Sequence, residues 1–261
     1  MPPVITITTD FGLDDPFVGI LKGVILNCLP NASIVDITHQ VEPQNIKQAA
    51  LILNSAHPFF PKNTVHLVVV DPGVGGSRRP IAAKSGSYTF VGPDNGVFTS
   101  VLKPGARVYE LTQTRYFLKN ISSTFHGRDI FAPATAWIAK GTPLSKMGRR
   151  IKDPKTIRIP KPVFKKGTLK GEVIRVDRFG NLITNLPADL LQETFKTRNR
   201  LKVKIGLKIL GGPVDSYSKC KPGEAGSLIN SWDHLEIFCR EDNASKTLKA
   251  CVGTSVTVTN C

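Results

Sequence analysis

Residues 65–70 read Val-His-Leu-Val-Val-Val and run without a break into Asp71. A strand with one face in water alternates apolar and polar residues. A nearly unbroken β-branched run therefore predicts a parallel strand covered on both faces. After Asp71 the chain reads Pro72-Gly73-Val74-Gly75-Gly76-Ser77 and closes with Arg78 and Arg79. Three glycines in four positions let backbone N–H groups converge and let a ligand approach closely. In open α/β sheets ligands bind beyond the carboxyl ends of parallel strands, where this loop falls. It is not a Walker A loop, since no Gly-Lys-Ser/Thr follows, and it lacks the third glycine of the dinucleotide fingerprint. On this stretch alone, a tight exit turn capped by Asp71 with the arginines in solvent is the alternative.

The flanking chain supplies the layers. Val4–Thr9 reads as a strand ending at Asp10, and Asp14 and Asp15 before Pro16 read as a carboxylate-capped helix start. The helix that follows carries Phe17, Ile20, Leu21, Val24 and Ile25 on one face. A second strand, Ser33–Thr38, leads to His39, and a helix over Gln44–Ala56 has a stripe of Ile46, Ala49, Ala50 and Leu53. Strand–helix–strand–helix–strand at these lengths predicts a parallel sheet with right-handed crossovers. Pro80–Lys84 and Tyr88–Val91 read as a hairpin, Val97–Leu102 as a short helix and Arg107–Thr112 as a strand. A helix apolar at Ile130, Phe131, Ala134 and Ile138 follows His126 and Gly127.

Residues 149–167, basic, proline-spaced and non-periodic, make the best domain boundary. Beyond it come short strands over 168–176, 182–184, 201–210, 226–229, 235–239 and 252–259, interrupted by one helix, Ala188–Phe195. The expected fold is an α/β N-terminal domain (1–150) with a mainly parallel sheet flanked by helices. A linker (151–166) joins it to a smaller, mainly antiparallel β domain (167–261).

Residues 149–261 hold 22 Lys and Arg against 11 Asp and Glu, most of the net charge of +15. A basic half invites a nucleic-acid partner. No RNP, zinc-finger or helix-turn-helix pattern accompanies it and aromatics are 7%, so a solvated lysine-rich face is the reading adopted. No apolar run is long enough to span a bilayer and no basic-then-apolar leader opens the sequence. A cytoplasmic location without a membrane partner is expected. Cys28, Cys220, Cys239, Cys251 and Cys261 form no CxxC or CxxH pair, which argues against a zinc site or a disulfide framework. His39, His57, His66 and His234 have no ligand spacing and read as structural or surface groups, so no metal is expected.

Taken together, TDFGLDDPFVGILKG (9–23), VDPGVGGSRR (70–79), VGPDNG (91–96), FHGRDIFAP (125–133), VDRFGNLITN (176–185) and, more weakly, NSWDHLEIFCRE (230–241) form a pattern. In that order, over residues 4 to 258, they resemble the S-adenosyl-L-methionine (SAM) hydroxide adenosyltransferases, adenosine-forming SAM hydrolases in one superfamily with the SAM-dependent fluorinase and chlorinase. The resemblance implies attack of water or hydroxide at C5′ of SAM, giving adenosine and L-methionine, with no cofactor because SAM is the substrate. The sulfonium needs no acid to leave, so the protein must supply an activated oxygen in line with the C5′–S bond. The family's Asp/Arg/His set falls on Asp71, Arg78 and His126. Asp71 is expected to orient or deprotonate the water, Arg78 to favour hydroxide electrostatically and His126 to complete the hydrogen-bond cage. Arg79 reads as a structural or rim residue.

For the substrate, the resemblance implies Asp10 on the ribose hydroxyls and Asp15 and Asp177 near the methionine ammonium. It also implies Asn181 at the adenine edge, Ser231 near the methionine carboxylate, and backbone groups near Cys239 and Glu241 at the adenine. Asp177 and Asn181 equally suit an Asp-x-x-Gly-Asn turn. Trp232 departs from the fluorinase, which has an arginine for the substrate carboxylate there. The family pattern further implies a homotrimer with active sites between the N-terminal domain of one subunit and the C-terminal domain of the next. Two alternatives are a SAM-dependent halogenase or other adenosyl transferase, and a non-catalytic SAM- or nucleoside-binding module. A carboxylate at 71 opposes the halogenase, because it repels fluoride or chloride.

Overall fold

The structure is a computed structural model and describes residues 2–195 and 201–260. The chain divides at Arg158/Ile159 into two compact units. The first holds strands β1 (Val4–Thr9), β2 (Ser33–Thr38), β3 (Val65–Val69), β4 (Pro80–Ser85), β5 (Tyr88–Pro93), β6 (Arg107–Leu111) and β7 (Gly148–Ile151). Its helices are α1 (Phe17–Cys28), α2 (Ile46–Ala56) and α3 (Ala132–Ala139). The strands form one sheet in the order β2-β1-β3-β5-β4-β6-β7.

Strand β3 is buried at every position and pairs in parallel with β1 and β5. Its side chains alternate between two cores. Val65, Leu67 and Val69 join Leu21, Ile25, Phe131 and Ala134 of the α1/α3 layer. Val68 and Val70 join Ala49, Leu53, Val97 and Phe98 on the other side. Each such burial contributes about 1.5–3 kcal/mol before chain entropy is counted.

The sheet is mixed rather than mainly parallel. Three pairings (β1–β2, β1–β3, β3–β5) are parallel and three (β4–β5, β4–β6, β6–β7) antiparallel. The tight turn at Gly86 makes β4 and β5 antiparallel, and every strand beyond follows from it. Other local readings also shift. Asp14 and Asp15 do not cap α1, whose N-cap position is Pro16 with no side-chain bond. Helix α2 starts at Ile46, because the Asn45 side chain accepts from Gln48 N at 2.9 Å and Gln44 has φ 66°. Residues 97–101 are turns, not a helix, and α3 is preceded by a π-helical turn over Gly127–Phe131.

The second unit carries β8 (Val163–Lys165), β9 (Thr168–Val176), β10 (Leu182–Pro187), β11 (Leu201–Ile205), β12 (Lys208–Gly211), β13 (Ala225–Ile229), β14 (His234–Cys239) and β15 (Ser255–Asn260). Short helices α4 (Ala188–Thr194) and α5 (Ala244–Thr247) complete it. The sheet runs β12-β11-β15-β9-β10-β14-β13, antiparallel throughout, with β8 added to β9. It nearly closes on itself, since Val214 N donates to Ser227 O at 2.8 Å and Ser227 Oγ to Gly211 O at 3.2 Å. The single strand expected over 201–210 is a hairpin turning at Gly206 (φ 55°), and the last strand starts at Ser255 instead of Val252.

The basic stretch 151–166 begins in β7 and ends in β8, both edge strands. Polar, proline-spaced sequence is compatible with such edges. His39, His57 and His66 are buried, and His66 Nδ1 lies 2.7 Å from Thr6 Oγ1. Cys28, Cys220, Cys239 and Cys251 are free thiols, and Cys261 lies outside the described residues. No helix among the described residues is long and apolar enough to cross a membrane.

Candidate active site

Parallel pairing of β1 with β3 sets Thr9 opposite Val69, so Asp10 and Asp71 emerge together at the carboxyl edge of the sheet. The glycine loop after Asp71 is pinned from above. At Gly75 (φ 74°) a Cβ would run into the Ser123 carbonyl, so only glycine lets residues 121–125 lie across the loop. That covering segment is held by Asp129, fully buried, which accepts from Ser122 N at 2.8 Å and from Arg128 Nε at 2.6 Å.

The loop returns the chain so that Arg78 faces Asp71. Arg78 Nε lies 3.0 Å from both Asp71 oxygens and Nη2 donates to Oδ2 at 2.6 Å. The guanidinium also lies 5.2 Å from the centre of the Phe131 ring. Side-chain exposure of this pair is 6% and 5%, so the ion pair is largely desolvated. Breaking such a pair strands a buried charge. Arg79, one residue on, turns away to Asp94 (2.6 Å) and Asp153 (3.0 Å) and ties down the start of β4.

Arg78 Nη2 also lies 2.7 Å from His126 Nδ1. A guanidinium only donates, so Nδ1 is the acceptor and the neutral ring carries its proton on Nε2. Burial pushes the His126 pKa down and the Arg78 charge pushes it further, against the pull of Asp71 and Asp129. His126 is therefore neutral at pH 7 and presents Nε2–H as a donor.

Asp71 and His126, joined from behind by Arg78, line a cavity of about 760 Å³ with Asp10, Phe11, Gln44 and Phe125. Phe11, Phe17 and Phe125 meet edge to face at 5.3–5.9 Å and give it an aromatic wall. Asp10 Oδ2 accepts from Gln44 N at 2.8 Å, which orients the carboxylate. Asp15 is exposed before α1 and does not line the cavity.

The second unit has its own cavity, about 680 Å³, lined by Asp177, Phe179, Asn181, Tyr217, Arg240 and Glu241, among others. Here the turn expected of Asp177 is made. Its Oδ1 accepts from Phe179 N (2.9 Å) and Asn181 N (2.8 Å), and Oδ2 accepts from Asn181 Nδ2 (3.0 Å). The Asn181 amide oxygen faces no donor in that set. Glu241 is exposed at φ 59° and pairs with Arg240 at 3.2 Å. Ser231 is exposed in the turn between β13 and β14, outside this cavity.

The structure thus brings Asp10, Asp71 and His126 around one cavity, with Arg78 bonded to the last two, and Asp177, Asn181 and Glu241 around another, leaving Asp15 and Ser231 in neither. Asp129 and Gln44 escape sequence reasoning. An acid inside the apolar run 129–132 was the available signal for the first, and nothing in the sequence marks the second.

An α/β unit with a carboxylate–guanidinium–imidazole cluster at its strand ends, followed by a small β unit, defines the class. The model of the SAM hydroxide adenosyltransferase N-terminal domain matches residues 5–148 and that of its C-terminal domain matches 171–257. The chain belongs to that family. It is 39% identical to an (R)-S-adenosyl-L-methionine hydrolase of Methanocaldococcus jannaschii, over 94% of this chain and 91% of the relative. A fluorinase of Actinoplanes sp. is more distant at 28%, covering 98% and 97% of the two chains. The crystal structure of an uncharacterized conserved protein of Thermotoga maritima has a TM-score of 0.93 at 38% identity, covering 98% of this chain and 100% of that one.

Proposed function

We propose that the protein hydrolyses SAM to adenosine and L-methionine by in-line attack of water on C5′. One observation carries the reading: a single guanidinium, Arg78, hydrogen-bonds both the Asp71 carboxylate and the His126 imidazole beside the cavity. The water oxygen forms the C5′–O bond while the C5′–S bond breaks, and the electron pair goes to sulfur as the methionine thioether. The water's proton passes to Asp71 and then to solvent. Arg78 favours the hydroxide-like oxygen, and His126 Nε2–H orients it. Asp10 suits the ribose diol, since a carboxylate accepts from two hydroxyls at once. Asp177 suits the substrate ammonium and the Asn181 oxygen the adenine amine. Asp15, Ser231 and Glu241 are secondary contacts in this reading. A carboxylate beside the nucleophile disfavours a halide, and relatedness to hydrolases is closer than to a fluorinase.

Because the sulfonium is already a leaving group, the reaction needs neither metal nor organic cofactor, and chelator treatment is expected to leave turnover unchanged. The proposed assembly is a homotrimer in which the first unit of one subunit meets the second unit of another. Light scattering of the purified protein reads the mass. Mixing inactive Asp71→Asn subunits with Asp177→Ala subunits of raised KM is expected, at low SAM, to give more activity than the sum of the two alone.

Incubation with SAM in ¹⁸O-labelled water tests the reaction. Labelled adenosine plus methionine, lost on Asp71→Asn, is the expected result. Bound but intact SAM would move the assignment to a binding module.

A further inference from the structure

Arg175, on β9, is a partly buried cation with no ion-pair partner within salt-bridge distance among the described residues. Its Nε is buried without a hydrogen-bond partner. Its guanidinium carbon lies 4.9 Å from the centre of the Trp232 ring. The backbone that carries the ring is braced. Trp232 N donates to Asn230 Oδ1 at 3.0 Å, and His234 Nδ1 donates to the Trp232 carbonyl at 2.7 Å. Asn230 is held in turn by buried Glu236, which also accepts from Tyr217 OH at 2.7 Å. Burial pushes the Arg175 pKa down, against the opposing pull of Asp177, two residues along the chain.

Arg240, which lines the cavity with Asp177, is already used: it donates to the Ser218 and Cys220 carbonyls and pairs with Glu241. A guanidinium stacked on an indole whose backbone is braced, with an Nε–H that has no partner, is suited to a planar anion. One guanidinium and one carboxylate two residues apart match the two charges of an α-amino acid. We propose that Arg175, held on Trp232, binds the α-carboxylate of the substrate's methionine end and makes the site selective for substrates that keep it. This rests on the functional reading above.

The test compares SAM with its decarboxylated analogue, which keeps the sulfonium, the amine and the adenosine. For Arg175→Met the KM for SAM should rise about tenfold to a hundredfold, the loss of a hydrogen-bonded charge pair, with kcat little changed. Parameters for the decarboxylated analogue should not move, so wild type's preference for SAM disappears. Arg175→Lys should recover part of that preference, and Trp232→Leu should weaken it by a smaller factor while circular dichroism stays native. Equal losses on both substrates, or none on either, overturn the proposal and leave Arg175 as a packing residue. If wild type does not turn SAM over, the functional reading fails. Calorimetric titration of both proteins with SAM and the analogue then still decides: selective weakening toward SAM supports the carboxylate site, and equal binding overturns it.

Discussion

The two cavities use charge in opposite ways. In the first unit Asp71, Arg78 and His126 spend their hydrogen bonds on one another, inside a largely desolvated cluster. In the second unit Asp177 is occupied by its own turn and Arg175 by an aromatic face. A self-paired cluster holds its geometry before substrate arrives, which suits positioning a reacting oxygen. Charges braced by backbone and rings keep unused edges for a ligand. The first arrangement should therefore govern kcat and the second KM.

The largest expected effect comes from breaking the first cluster. Asp71→Asn should lower kcat by about three orders of magnitude, as loss of a proton acceptor does, while SAM affinity stays near wild type. The same change leaves Arg78 as an unpaired buried cation, which costs about 3–5 kcal/mol and should appear as a lowered melting temperature. Retained turnover would sink the assignment.

His126→Ala should cost about a hundredfold in kcat and alter the pH profile. The neutral ring accepts from Arg78, so activity is present above the His126 pKa and lost below it. With that pKa pushed down from its ordinary value, wild type should stay flat through neutrality and fall only on the acid side. The acid limb assigned to this ring should vanish in the variant.

In the second unit Asp177→Ala should act on KM, by about tenfold, with a smaller change in kcat. A kcat effect as large as that of Asp71→Asn would erase the distinction between the two cavities.

A change confined to acid pH, with none expected near neutrality, sharpens the comparison through stability. Burial holds the His66 pKa at about 3 in the folded first unit, against 6.5 for the free group. Between those values the unfolded chain binds the extra proton, so stability falls as pH drops, by at most about 1.4 kcal/mol per pH unit. His66→Gln should flatten the acid-unfolding profile of the first unit between pH 6.5 and 3. An unchanged slope would mean that other groups carry it.

Much of this was legible along the chain. Strand β3 was readable because a nearly unbroken apolar run has one stable environment, between two layers. Strand β9 and the Asp177 turn were readable because both are local. The antiparallel half of the first sheet was not, because a hairpin announces its own pairing but not which strands it joins. The acids before α1 looked like caps, yet none is made there, since Pro16 takes the cap position. Motif resemblance singled out Asp71, Arg78 and His126, while spacing alone could not separate Arg78 from Arg79.

By itself the sequence determined the central strand covered on both faces in the first unit, the change to short strands after residue 167 and the residue types available for chemistry, all of which depend on near neighbours. Only the tertiary structure decided that Arg78 turns inward while Arg79 clamps Asp94 and Asp153, and that Ser123 seals the glycine loop. Only it set Arg175 on Trp232, 57 positions away. These depend on which strands become neighbours, because desolvation and hydrogen-bond geometry act through space and have no period along the chain.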